Sequence, residues 1–211
     1  MVSIKPPIFS VVTDRNKVKR DHLIPVIEEV VAGGVNLVQI REKDLPMDQL
    51  QNLYFKLADR INSNCLISVN VSKFTNSFGP SCLLHFPEKI KLEPQIKKPK
   101  FGQSIHSVEN AIKAEKAGAS YLFAGTIFPS KSHPSLPGSG TEYLARICRA
   151  VTIPTVAIGG INETNSESVI KSGASGVAVI SSLLEAKDPY KKASEIRHII
   201  ETAWKNNRPE I

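Results

Sequence analysis

Eight short apolar runs, rich in Val and Ile, recur every couple of dozen residues along this chain. They are "IFSVVTD" (8–14), "VNLVQIR" (35–41), "CLISVN" (65–70), "CLLHF" (82–86), "KFGQS" (100–104), "YLFAGTIF" (121–128), "PTVAIGG" (154–160) and "GVAVIS" (176–181). Strands of half-exposed sheets alternate apolar with polar residues, and these runs do not. They read as parallel strands covered on both faces.

Between several of them lie segments of helical period. "DHLIPVIEEVVAGG" carries an apolar stripe and stops at Gly33-Gly34. "PMDQLQNLYFKLADRIN" opens with Pro46. "HSVENAIKAEKAGAS" begins at the capping residue Ser107 and stops at Gly118. "NETNSESVIKSGAS" stops at Gly173, and "DPYKKASEIRHIIETAWKNN" is the long last helix. "SKFTNSFGP" and "PEKIKLEPQI" are poor helices, so the third and fourth crossovers are expected to be short or irregular. Eight alternations within 211 residues predict an α/β fold of the (β/α)8 TIM-barrel type, a single domain over 1–211. A doubly wound sheet is the alternative.

Composition narrows the function classes. No apolar run reaches membrane-spanning length, and "MVSIKPPIF" lacks the pattern of a signal peptide, so the expected location is cytoplasmic. Cys65, Cys82 and Cys148 are scattered, which implies neither a disulfide framework nor a zinc site. The net charge of +7 suits anionic small molecules or nucleic acid. The basic run Lys89 to Lys100 has no nucleic-acid motif and reads as a solvated face.

In such barrels the chemistry lies where strands end and βα loops begin. "QIREKD" places Gln39, Arg41 and Lys43 at alternate positions, on one face if the strand continues. Arg and Lys there suit phosphate oxygens; a solvated strand end is the plain alternative. "AIGGI" and "ASGVAVIS" put Gly160 after the seventh strand and Ser181 and Ser182 after the eighth, where backbone N–H groups bind phosphate in many barrels. A Gly-rich turn without a ligand would have the same sequence. "FGQSIHS" offers Ser104 at the mouth and His106 as either a structural or a catalytic histidine. "FAGTIFPSKSHPSLPGSG" (123–140) carries Thr126, Ser130, Ser132 and His133 into a Pro/Gly loop. Two readings stand for it: a lid with Pro134 to Gly140 as its flexible arm, or a surface connection.

From about Phe9 to the last helix, "VTD", "QIREKD", "GQSIHS", "GTIFPSKS", "VAIGGI" and "GASGVAVIS" occur in the order seen in the thiamine phosphate synthase family and its TenI-like branch, which the chain resembles. The resemblance implies a (β/α)8 barrel. It also implies binding of phosphorylated thiazole and pyrimidine molecules. A family synthase releases diphosphate from a pyrimidine diphosphate with Mg²⁺ help, and the thiazole nitrogen attacks the resulting carbocation. The implied diphosphate-side cations are Arg41 and Lys43, with Gln39 beside them. Asn70 matches the Asn of an Asn-Asp pair, and Ser104 a serine near the pyrimidine. Ser130 and Ser132 stand where threonines bind the thiazole phosphate. Gly160, Ile180 and Ser181 match the phosphate-binding backbone.

The chain also departs from that pattern. Val71 replaces the aspartate after Asn70, and "LLHFPEK" lacks the second metal-binding aspartate, with Glu88 the only carboxylate near. His133 replaces a lysine, and Thr126 stands where the TenI-like tautomerase carries its histidine. The first expectation is therefore a TenI-like protein of thiamin biosynthesis that binds a thiazole phosphate, tautomerase-like in its chemistry. Arg41, Lys43 and His133 are the candidate catalytic residues, and no metal ligands are assigned. The alternatives are a thiamine phosphate synthase, which alone would need Mg²⁺, and a non-catalytic ligand sensor. Neither nucleic acid nor membrane is an expected partner, and a homo-oligomer is compatible with the sequence.

Overall fold

The computed structural model describes residues 4–19, 22–62, 64–91, 100–130 and 137–207. Eight parallel strands close into a barrel in chain order: β1 (Ile8–Val12), β2 (Leu37–Ile40), β3 (Leu66–Asn70), β4 (Leu83–Phe86), β5 (Phe101–Ile105), β6 (Tyr121–Ala124), β7 (Thr155–Ile158) and β8 (Gly176–Val179), which pairs back onto β1. Closure removes both sheet edges and with them the doubly wound alternative. The helices are α1 (Leu23–Ala32), α2 (Met47–Arg60), α3 (Val108–Lys116), α4 (Gly140–Ala150), α5 (Ser166–Lys171), α6 (Ser181–Leu184) and α7 (Pro189–Asn206). No described helix is long and apolar enough to cross a membrane.

The strands are apolar on both faces because each face has a different core. Outward side chains such as Phe9, Val38, Val69 and Leu122 meet the helices. Inward ones (Ile8, Val12, Leu37, Leu83, Tyr121, Phe123, Val156 and Ala178) fill the barrel. Side-chain alternation then turns Ser10, Gln39, Ser68 and His85 inward as well, all buried.

Local signals set the helix ends. Ser107 Oγ accepts a hydrogen bond from the Asn110 N–H at 3.1 Å and caps α3. Asp188 caps α7 ahead of Pro189. The third and fourth crossovers contain no helix among their described residues. Helix α4 was not expected from the sequence. It begins at Gly140, so the arm expected over Pro134 to Gly140 ends in a helix. Its base is fastened too: the Ser139 and Gly140 N–H groups donate to the carbonyls of Thr126 and Ile127 at 2.9 and 3.0 Å.

Gly102 is dictated by the barrel filling. A Cβ there would lie 2.2 Å from the ring of Tyr121, which pairs with it across β5 and β6. Gly102→Ala is expected to destabilise the protein by about 3 kcal/mol, the upper range for overpacking a filled core. Urea unfolding measures it, and a change below about 0.5 kcal/mol would show that the ring moves aside freely.

Candidate functional site

The mouth is built from the C-terminal ends of the strands. On the β2 side the three residues at alternate positions part company. Gln39 is inside the barrel, 2% exposed, and its amide nitrogen has no hydrogen-bond partner. Strand β2 ends at Ile40, so Arg41 sits half-buried on the rim, its N–H donating to Thr13 Oγ1 at 3.0 Å. Lys43 lies exposed in the following turn, where strand alternation no longer holds. The Arg41 guanidinium makes no hydrogen bond or ion pair with a described residue. Burial pulls its pKa below the ordinary range, opposed by the fields of Asp14 and Glu42. Those two carboxylates make their bonds elsewhere: Arg15 bonds Glu42 at 3.1 Å, and Asp14 accepts from the Asn16 N–H at 3.2 Å.

Beneath Arg41 runs a string of buried polar groups. His85 is fully buried, with Nε2 2.9 Å from Ser104 Oγ and Nδ1 3.1 Å from the Tyr121 hydroxyl. Burial, and then the Arg41 charge, push its pKa down to about 3, so the imidazole is neutral. Ser68 Oγ faces the Tyr121 hydroxyl without forming a hydrogen bond of standard geometry. Ser104 and Asn70, each half-buried at a strand end, complete this side; Asn70 pairs with His85 across β3 and β4.

The other side is made of backbone. Gly160 has φ +64, and a Cβ there would lie 2.4 Å from the carbonyl oxygen of Pro129. Only glycine fits, because the β6 loop lies directly on it. The Ile127 and Phe128 N–H groups donate to the carbonyls of Ile158 and Gly159, each at 3.0 Å. Thr126 is thereby held half-buried beside Gly159, while Phe128 and Pro129 lie on Gly160 and the half-buried Ser130 follows them. Ile180 lies two residues past the pairing of Ile158 with Ala178 and precedes α6, whose first N–H groups, starting with Ser181, have no intrahelical partner. Ser132 and His133 lie outside the described residues, as does Lys131.

His85 and Tyr121 went unread in the sequence. The only signal was a histidine inside the apolar run "CLLHF", on the inward register.

Residues 92–183 match the family model described as thiamine monophosphate synthase. A thiamine-phosphate synthase of Pyrococcus furiosus is 34% identical over 206 residues, covering 90% of this chain and 93% of the relative. One from Clostridium tetani is 35% identical over 195 residues, covering 87% and 90%. The solved structure of thiamine phosphate pyrophosphorylase from Pyrococcus furiosus superposes with a TM-score of 0.79 at 31% identity, covering 93% of this chain and 96% of that one. This chain belongs to the thiamine-phosphate synthase family.

The family implies a magnesium ion, and the described residues of this member do not fit one. Val71 is apolar and buried, and its N–H is spent on the His85 carbonyl at 2.9 Å. Glu88 is occupied. It accepts from the His106 N–H at 2.8 Å, contacts His106 Nδ1 at 2.7 Å, and accepts from Asn110 Nδ2 at 2.8 Å. Burial alone would raise its pKa, but the bonds from Asn110 and His106 outweigh that and hold it low. It fastens the start of α3, with His106 as its exposed structural partner. No group of three or more His, Cys, Asp or Glu suited to a metal occurs among the described residues. Mg²⁺ needs hard oxygen ligands in a demanding octahedral geometry. Titrating the ligand-free protein with Mn²⁺ in a water-proton relaxation assay should therefore show no saturable site tighter than about 1 mM. A micromolar site would mean that carboxylates assemble elsewhere.

Proposed function

We propose that this protein is a thiamine-phosphate synthase that joins a hydroxymethylpyrimidine diphosphate to a thiazole phosphate. The observation that carries this reading is the half-buried Arg41 guanidinium, desolvated and without a described partner at the barrel mouth. An unpaired cation there is unfavourable unless an anion arrives to match it. The relatives named thiamine-phosphate synthase, at 34–35% identity over most of the chain, support the same reading.

In this reaction the carbon–oxygen bond to diphosphate breaks, and its electron pair leaves with the diphosphate. Arg41 meets the charge growing on the leaving oxygens, with Lys43 able to reach in from the adjoining turn. The thiazole nitrogen then supplies the electron pair of the new carbon–nitrogen bond. The amides around Gly160 and Ser181, with Ser130 beside them, hold the thiazole phosphate and fix the angle of attack. His85 is neutral, so it adds no positive charge to compete with Arg41 for the diphosphate.

A second reading is favoured by Val71 and by the occupied Glu88. In it the protein keeps its hold on a thiazole phosphate without condensing it, as a TenI-like tautomerase or a ligand sensor. Phosphorus NMR of the protein with both substrates and Mg²⁺ separates the two. Appearance of thiamine phosphate and free diphosphate at an enzyme-like rate supports the synthase. If neither appears while a control synthase works in the same mixture, and the thiazole phosphate still binds, the second reading holds.

A further inference from the structure

We infer that Tyr121 and His85 together set Ser104 as a hydrogen-bond donor to the ligand, so that the mouth selects a bare acceptor atom, such as an unprotonated ring nitrogen, at that position. This deepens the reading of the mouth as the site of a phosphorylated heterocycle and rests on it.

The inference follows from counting protons along the buried string. Tyr121 is fully enclosed and its hydroxyl has one proton to give. Ser68 Oγ is near enough to lower the Tyr121 pKa, the effect of a donor to the phenol oxygen, but lies outside standard hydrogen-bond geometry. Among the described residues the well-formed acceptor for the Tyr121 proton is therefore His85 Nδ1 at 3.1 Å. A neutral imidazole that accepts at Nδ1 carries its proton on Nε2. That Nε2–H points at Ser104 Oγ, 2.9 Å away, and donates to it. Ser104 therefore receives a bond from below and keeps its own O–H for whatever lies above. Its half-exposed position at the end of β5 opens to the mouth, and it makes no other side-chain bond with a described residue.

The opposite tautomer would reverse the chain. Ser104 would donate to Nε2, Nδ1–H would donate to Tyr121, and Tyr121 would be left to donate to a Ser68 that is not in place. Ser104 would then offer the ligand lone pairs only. Tyr121 and His85 are thus positioning residues: neither reaches the mouth, yet between them they decide whether Ser104 has a proton free to offer an acceptor on the ligand. A neutral donor at Ser104 discriminates against a ring protonated at the facing atom, because a donor facing a donor leaves both unpaired.

Two measurements test this. Long-range proton–nitrogen NMR of histidine-labelled, ligand-free protein should place the His85 proton on Nε2. In Tyr121→Phe, which keeps the ring volume, it should move to Nδ1 or exchange between the two. A proton on Nδ1 in the unmodified protein, or a tautomer unchanged in Tyr121→Phe, would overturn the inference. Neither spectrum depends on whether the protein condenses its substrates, so this result stands apart from the outcome of the synthase assay. The second measurement compares affinities for hydroxymethylpyrimidine phosphate and for analogues in which one ring nitrogen is replaced by C–H. Ser104→Ala and Tyr121→Phe should each lose about tenfold in affinity for the parent ligand, without further loss when combined. One of the analogues should be insensitive to both changes. Losses that multiply, or that fall equally on every analogue, would show instead that the two residues act independently of a shared contact.

Discussion

Arg41→Met is expected to lower kcat/KM for diphosphate release by about 10²–10³-fold, the loss seen when one charge-stabilising donor is removed from a water-excluded site. The variant should be no less stable than the parent. Methionine keeps most of the apolar stem that packs at the rim. What it removes is a cation that burial disfavours and that the fields of Asp14 and Glu42 offset only in part, with no described side chain bonded to it. The two readouts therefore move in opposite directions, as at sites whose geometry serves a ligand rather than the fold. Arg41→Lys should recover only part of the rate, because an ammonium cannot present the paired donors of a guanidinium to two oxygens at once. Lys43→Met should cost less, since Lys43 is exposed and screened by solvent. Steady-state kinetics and thermal unfolding of the three variants test this. The assignment fails if Arg41→Met stays within threefold of the parent, or if it unfolds several degrees earlier while keeping its rate.

The barrel was legible in the sequence because burial on both faces leaves a plain mark: runs such as "GVAVIS" have no polar side to offer water. Helix α4 was not, although Leu144 and Ile147 are fully buried in it. A start signal was there, Ser139 with Glu142 three residues on, but it lies at the end of a Pro/Gly-rich loop that reads as a connection. In the fold the Ser139 hydroxyl donates to the Thr126 carbonyl instead of capping the helix. At the site, single residues were readable but their partners were not. Alternation along "QIREKD" suggested three groups on one face, yet it holds only while the strand lasts, and β2 ends at Ile40. Glu88 stood in the sequence as a stray carboxylate near an expected metal. Its actual partners, His106 and Asn110, come from the next strand end and the helix after it. The partners of His85 are 19 and 36 residues away and meet it only because β4, β5 and β6 are neighbours. Strand order around a barrel follows from sequence order, so contacts of this kind become readable once the inward register of each strand is known.

That buried histidine carries the other large expected effect, a loss of stability in mild acid. His85 is neutral in the folded protein, with its pKa pushed down to about 3 by burial and by the Arg41 charge, whereas in the unfolded chain it returns to an ordinary value of about 6.5. Between those two values the unfolded chain binds a proton that the folded protein cannot take up. The stabilisation is therefore fully present above pH ~6.5 and is lost progressively as pH falls toward 3. Between pH 7 and pH 4 the loss from this one group is about 3 kcal/mol, a large part of the stability of a typical domain. Carboxylates such as Glu88, held low by hydrogen bonds, lose stability in acid too, but over a lower range and equally in a variant that lacks only the imidazole. His85→Gln keeps a polar side chain able to reach Ser104 and has nothing to titrate. It is expected to be less stable than the parent at pH 7 and to close most of that gap by pH 4. Urea unfolding of both proteins at half-unit steps gives the difference curve. A curve flat from pH 7 to pH 4 would mean that water reaches the ring and lets it charge in place. A difference that shrinks steadily below pH 6.5 means that the Ser104–His85–Tyr121 string stays closed and uncharged under the candidate site.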